Sequence, residues 1–148
     1  MKTEAIDKIL FDNDLTKSMF RGCYPCDEIP VYASPYAVIV NTDNSSLPGS
    51  HWILLYVTEK VYFFDSFGRN YDNLMFNRDF VENITIFIGD KKSEFNSKMV
   101  QSLLGDTCSQ FCIFYLFEKC LGVQNILKPF TDNLKYNDSY VTRFVNSM

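Results

Sequence analysis

Apolar and polar positions fall into blocks along this chain, and the spacing within each block predicts its form. Ile6, Ile9, Leu10 and Leu15 recur at helical intervals with acids early, which predicts a helix over residues 3–20. Gly22, Pro25, Pro30 and Pro35 then punctuate residues 21–35, which read as loop. YAVIVN (36–41) is a short apolar run bounded by Pro35 and a polar cluster, and reads as a buried strand. NTDNSSLPGS (41–50) has loop composition. HWILLYV (51–57) and VYFFD (61–65), separated by Thr58, Glu59 and Lys60, read as an antiparallel hairpin. ITIFI (84–88), ended by Gly89 and Asp90, predicts another strand, and residues 91–104 read as a mixed helix. CSQFCIFYLFEKC (108–120) is apolar on nearly every side and ends near Gly122, which predicts a buried central helix. After Pro129, a last turn and helix run from Thr131 to the end.

These elements predict an α+β fold, a small mostly antiparallel sheet packed by helices. The 148 residues fit a single domain, 1–148, with no linker and no internal repeat. Aromatic residues number 24 of 148 (14 Phe, 9 Tyr, 1 Trp), enough for a core of large flat side chains or an aromatic-lined groove. The net charge of −4 leaves no basic footprint for nucleic acid, so none is expected as a partner.

Chemistry narrows faster than composition. His51 is the only histidine, which excludes multi-histidine metal sites, and no metal is expected. It also means that imidazole-based catalysis must use His51. The five cysteines, Cys23, Cys26, Cys108, Cys112 and Cys120, are odd in number. No stretch has a signal-peptide pattern or the length of a membrane span, so free thiols in an intracellular compartment are expected, with neither secretion nor membrane association. The Cys23-Tyr24-Pro25-Cys26 motif resembles a redox or zinc pair. Pro30 and Pro35 stop the long helix that a thioredoxin-like site needs, and no second pair completes a zinc site, so both read as loop cysteines.

A hairpin centred on Thr58 pairs Leu55 with Val61, Ile53 with Phe63 and His51 with Asp65. Both its faces are apolar, so it is central and covered on both sides. The His51–Asp65 pair then lies at its open end, either as a strand-end contact or as an imidazole held by a carboxylate for catalysis. Cys108 opens the apolar helix, where the helix dipole favours thiolate. Cys112 and Cys120 lie deeper along it and read as core. An oxyanion would need the Cys108 N–H and a side-chain amide. Gln101 can fold back over the loop, whereas Gln110 should point away.

The strings PGSHWILLYV (48–57), YFFDSFG (62–68) and VQSLLGDTCSQFC (100–112) resemble the adenovirus-type cysteine proteases. The order His, Asp, Gln, Cys, with Gln seven residues before Cys, is similar to that family's active site. The likeness extends to the proteases of Polinton (Maverick) elements and related animal DNA viruses through FRGCYPCDEIP (20–30), YAVIVNTDNSSLPGSHW (36–52) and KPFTDNLKYNDSYVTRFVNS (128–147). The resemblance implies the fold shared by adenovirus-type and ubiquitin-like-protein-specific proteases. It implies Cys108 as nucleophile, His51 as general base and acid, Asp65 orienting His51, and Gln101 in the oxyanion hole. It implies packing for Trp52, a viral or element-encoded precursor (capsid) protein as substrate, and work in the host nucleus or the virion. It requires no cofactor for the chemistry, allows a peptide activator, and suggests a monomer. The family carries Gly directly after the nucleophile, where this chain has Ser109. If that position needs a positive φ, serine would distort the oxyanion hole. Two other readings stand beside the protease: a ubiquitin-like-modifier protease, which uses the same site order, and, on the warrant of Ser109, an interaction domain that keeps the fold without the chemistry.

Overall fold

The computed structural model describes all 148 residues. Its elements are helix α1 (Thr3–Asp12), strands β1 (Phe20–Pro25), β2 (Tyr36–Asn41), β3 (Trp52–Val57) and β4 (Val61–Phe64), helix α2 (Arg78–Ile88), strand β5 (Ser93–Phe95), and helices α3 (Cys108–Cys120) and α4 (Leu134–Asn146). The class is α+β. The five strands lie in the order β1-β2-β3-β4-β5. The two central pairings, β2–β3 and β3–β4, are antiparallel, and the two outer ones, β1–β2 and β4–β5, are parallel. The sheet is therefore mixed, not mostly antiparallel. No helix is long and apolar enough to cross a membrane.

Both faces of the central strands are covered, as the double-sided apolar pattern of the hairpin requires. Val38, Val40, Ile53, Leu55, Val57, Val61 and Phe63 meet Phe80, Ile84 and Ile88 of α2. On the other face, Ala37, Ile39, Leu54 and Phe64 meet buried residues of α1, α3 and α4. α3 is the centre of this second core, with Phe111, Cys112, Ile113 and Leu116 wholly buried. Its Phe114 ring packs edge-on against Phe130, Tyr140 and Phe144.

Several sequence expectations are corrected. α1 stops at Asp12 because Asn13 turns the chain, its Oδ1 accepting from the Leu15 and Thr16 N–H groups. Residues 20–25, expected as helix end and loop, form edge strand β1, with its register shifting between Phe20 and Cys23. Gly22, at φ 110°, lies in that irregularity, and Pro25 needs no ladder partner at an edge. The segment read as strand ITIFI is the second half of α2. Phe80, Ile84 and Ile88 recur every four residues and are buried, while Ile86 is 79% exposed. Asn77 caps this helix by accepting from Phe80 N–H at 2.8 Å. Residues 91–104 hold β5 and loop, not helix. The last helix starts at Leu134, capped by Asn133.

The hairpin forms with its register displaced by two. Leu55 faces Phe63 and Val57 faces Val61, the three loop residues being Thr58 to Lys60. A shift of two returns every side chain to its own face. His51 and Asp65 therefore stay on one face as diagonal neighbours, although they are not directly opposed.

Candidate active site

The site lies where the ends of three elements meet. His51 precedes β3, and its carbonyl still accepts from Thr42 N–H at 2.9 Å, so its backbone is an extension of the ladder. Asp65 follows β4 and is completely buried. Cys108 opens α3 and is 8% exposed. A cleft of about 1010 Å³ exposes His51 and Cys108, and is lined also by Trp52, Phe67, Gln101 and Gly105.

His51 Nε2–H donates to Asp65 Oδ1 at 2.5 Å. A carboxylate only accepts, so this contact leaves Nδ1 as the nitrogen for the Cys108 proton. The imidazole hydrogen-bonds the carboxylate, and the Cys108 thiol is close enough to interact with it electrostatically. Burial disfavours the imidazolium, but the hydrogen bonds and negative charges of Asp65 and Cys108 outweigh it and raise the His51 pKa to about 9. Burial likewise opposes the Cys108 thiolate, and the hydrogen bond and charge of His51 overcome it, so the Cys108 pKa is lowered. The Trp52 backbone adds to that lowering. The other cysteines go the opposite way. Burial pushes the Cys26 thiol up to about 11, and it raises Cys23, Cys112 and Cys120 as well. Cys23 belongs to β1 and Cys26 follows it, so the first of this pair is not a loop residue.

The N-terminus of α3 is open toward this chemistry. Thr107 does not cap it, because its hydroxyl donates to Asp138 Oδ1 at 2.9 Å. The Cys108 N–H is among the first helix donors, which have no partner within the helix. Ser109 lies inside α3, and no residue other than glycine has a positive φ. The concern that serine strains this position is thereby removed.

Gln101 is 1% exposed and lines the same cleft. Its Oε1 accepts from Ser66 Oγ at 2.5 Å, and its Nε2 donates to Gly105 O at 3.0 Å. A carbonyl cannot donate, so Gly105 fixes which end of the amide carries the N–H groups. One Nε2–H remains for a ligand in the cleft. Gln110 takes no part, its Oε1 accepting from Ser109 Oγ at 2.8 Å. Of the four residues expected at the site, His51, Gln101 and Cys108 thus border one cleft, and Asp65 lies buried behind it, bonded to His51.

The surrounding supports were not anticipated from sequence. Arg69 grips Asp65, with Nε–H on Oδ2 at 2.7 Å and its backbone N–H on the same oxygen at 3.2 Å. Asn96 brackets the Asp65 backbone, accepting from its N–H and donating to its carbonyl. Gly68, at φ 74°, makes the turn that brings Arg69 back. A Cβ there would lie 2.8 Å from the backbone at Ser97–Met99. Asp138 of α4 accepts from Ser102 N–H at 3.3 Å as well as from Thr107, tying down both ends of the loop between Gln101 and Cys108. A signal for Arg69 was present, since a cation four residues after the carboxylate in a Gly-bearing turn can fold back on it.

No family model matches the chain, and no curated protein matches it.

Proposed function

We propose that this protein is a cysteine endopeptidase of the adenovirus type, acting on precursor proteins of a virus or an integrated element. The observation that carries the reading is the bonded His51–Asp65 pair, with Cys108 and the Gln101 amide in the cleft that His51 lines. The overall α+β arrangement is compatible with that protease fold. Ser109 has helical backbone without positive φ, which supports the catalytic reading over that of a silent domain.

The reaction follows from the contacts. His51 Nδ1 takes the Cys108 proton, and the thiolate attacks the scissile carbonyl carbon. Charge moves to the carbonyl oxygen, which accepts from the Cys108 N–H and the free Gln101 Nε2–H. The C–N bond breaks as the imidazolium passes its proton to the leaving amine, leaving a thioester on Cys108. His51 then removes a proton from water, which attacks the thioester, and returns that proton to the departing sulfur. Asp65 holds the imidazole in the required tautomer throughout.

The test needs no substrate. Alkylation by iodoacetamide, read at each cysteine by peptide mass spectrometry from pH 5 to 9, should show Cys108 reacting well below the ~8.5 of a free thiol. The advantage should disappear in His51→Ala. A Cys108 that titrates like Cys23 in both proteins would overturn the proposal.

A further inference from the structure

We propose that Arg69 is a positioning residue that sets the pH range over which His51 is charged, by sharing the Asp65 carboxylate with it. This gives regulation to the protease site, and it rests on that reading for its purpose.

The carboxylate has two oxygens and two cationic neighbours. Oδ1 receives His51 Nε2–H at 2.5 Å and a terminal Arg69 N–H at 3.4 Å. Oδ2 receives Arg69 Nε–H at 2.7 Å. Asp65 is completely buried and both cationic side chains are mostly so, at 11% and 23% exposed, so water screens them from it only weakly. The guanidinium is also held in place, lying 4.1 Å from the Phe76 ring centroid and 5.1 Å from that of Phe67. Phe67 in turn stacks on His51 at 5.0 Å and 21°. Arg69 cannot swing into solvent without giving up both rings and the carboxylate.

Other charges face the imidazole less directly. Cys108 shares the cleft and acts on the imidazole electrostatically, and it is the proton donor of the proposed reaction. The Met1 ammonium donates to Ser109 Oγ at 3.3 Å. Lys2, Glu4, Asp43 and Asp106 line the cleft and are exposed or half-exposed, so solvent screens them. Arg69 is the one cation in direct contact with the carboxylate that holds His51.

The sign follows. A lone buried carboxylate would favour the imidazolium with its whole charge. The guanidinium offsets part of that charge and limits how high the imidazolium persists. Removing the cation should raise the His51 pKa and extend the charged range to more alkaline pH. A residue that only braced Asp65 would do the reverse, since His51 would lose its carboxylate partner.

The single histidine makes the measurement direct. The His51 ring nitrogens would be titrated by NMR in Cys108→Ala protein, which removes the coupled thiol. Arg69→Gln should raise the His51 pKa by about one unit, and Arg69→Leu should do the same if the glutamine variant does not fold. Arg69→Lys, which keeps the charge, should restore the parent value to within about a third of a unit. An unchanged or lowered His51 pKa in the charge-removing variants overturns the inference. This readout does not depend on proteolysis, so its failure is distinguishable from failure of Cys108 to react in the alkylation test.

Discussion

Replacing Ser66 with alanine removes one buried hydroxyl and tests the oxyanion assignment more sharply than removing Gln101 itself. Ser66 is completely buried, and its Oγ donates to Gln101 Oε1 at 2.5 Å. Without it that carbonyl oxygen has no protein donor, a loss worth about 1–3 kcal/mol of stability. For a chain of 148 residues the unfolding entropy near the midpoint is about 0.3 kcal/mol/K, so Tm should fall by about 3–10 °C. The amide is not released entirely. Gln101 N–H still donates to Ser66 O at 3.1 Å, and Nε2 still donates to Gly105 O at 3.0 Å. What is lost is control of the last side-chain torsion, which is intrinsically broad. Deleting an oxyanion donor outright costs about 10²–10³ in rate. Ser66→Ala should therefore cost about tenfold, or ~1.4 kcal/mol of barrier, and Gln101→Ala the larger amount.

Two reactions at the same sulfur separate this effect from a general disturbance. Alkylation by iodoacetamide displaces iodide at a saturated carbon and creates no oxyanion, so it reads only the thiolate. Acylation by an activated ester passes through a tetrahedral oxyanion and reads the donors as well. Ser66→Ala and Gln101→Ala should leave alkylation of Cys108 within about twofold of wild type and slow acylation as stated. Equal losses in both reactions would mean that the thiolate, not the oxyanion hole, had been damaged. Unchanged acylation in Gln101→Ala would remove Gln101 from the mechanism altogether.

The buried ion pair predicts an acid-sensitive component of stability. Burial raises the Asp65 pKa, but hydrogen bonds from His51 and Arg69 outweigh it and hold the folded value below the ordinary carboxylate range. The resulting stabilisation is fully present above the unfolded value of about 3.9 and is lost as pH falls through the folded one. Denaturant titrations at stepped pH should therefore show wild type losing up to about 1.4 kcal/mol per unit below that point relative to Asp65→Asn, and parallel curves would contradict the burial and pairing assigned here. The helical reading of residues 84–88 has its own test. Ile84, wholly buried on α2, should cost about 2–5 kcal/mol as alanine, while Ile86, 79% exposed, should change stability by less than about 0.5 kcal/mol. Comparable losses at both positions would point back to a strand.

What could be read from the sequence divides by the range of the interaction. β2, the β3–β4 hairpin and α3 carry long unbroken apolar runs, and a buried position constrains every residue in such a run. Residues 84–88, the second half of α2, read as strand because Ile84, Thr85 and Ile86 are β-branched, a local preference that the four-residue recurrence of Phe80, Ile84 and Ile88 overrides once the sheet is there to receive it. β1 and β5 are edges paired in parallel. The partner of β1 lies beyond a loop and that of β5 beyond α2, and nothing in FRGCYP or SEF encodes them alone. The site shows the same division within a single turn. Asp65, Ser66, Phe67 and Arg69 are nearly consecutive, yet they hold His51, hold Gln101, stack on His51 and clasp Asp65 in that order. Gly68 makes this economy of chain workable by letting the backbone reverse against residues 97–99, where any side chain would collide. The first of these roles is legible because an imidazole and a carboxylate flank one hairpin. The next two require Gln101, which comes from another loop, and the Phe67 ring seated against His51. The supports from Asn96 and Asp138 lie more than thirty residues from the groups they hold. A pattern of types can therefore nominate the reacting atoms, whereas the groups that aim them become visible only when the chain has closed around them.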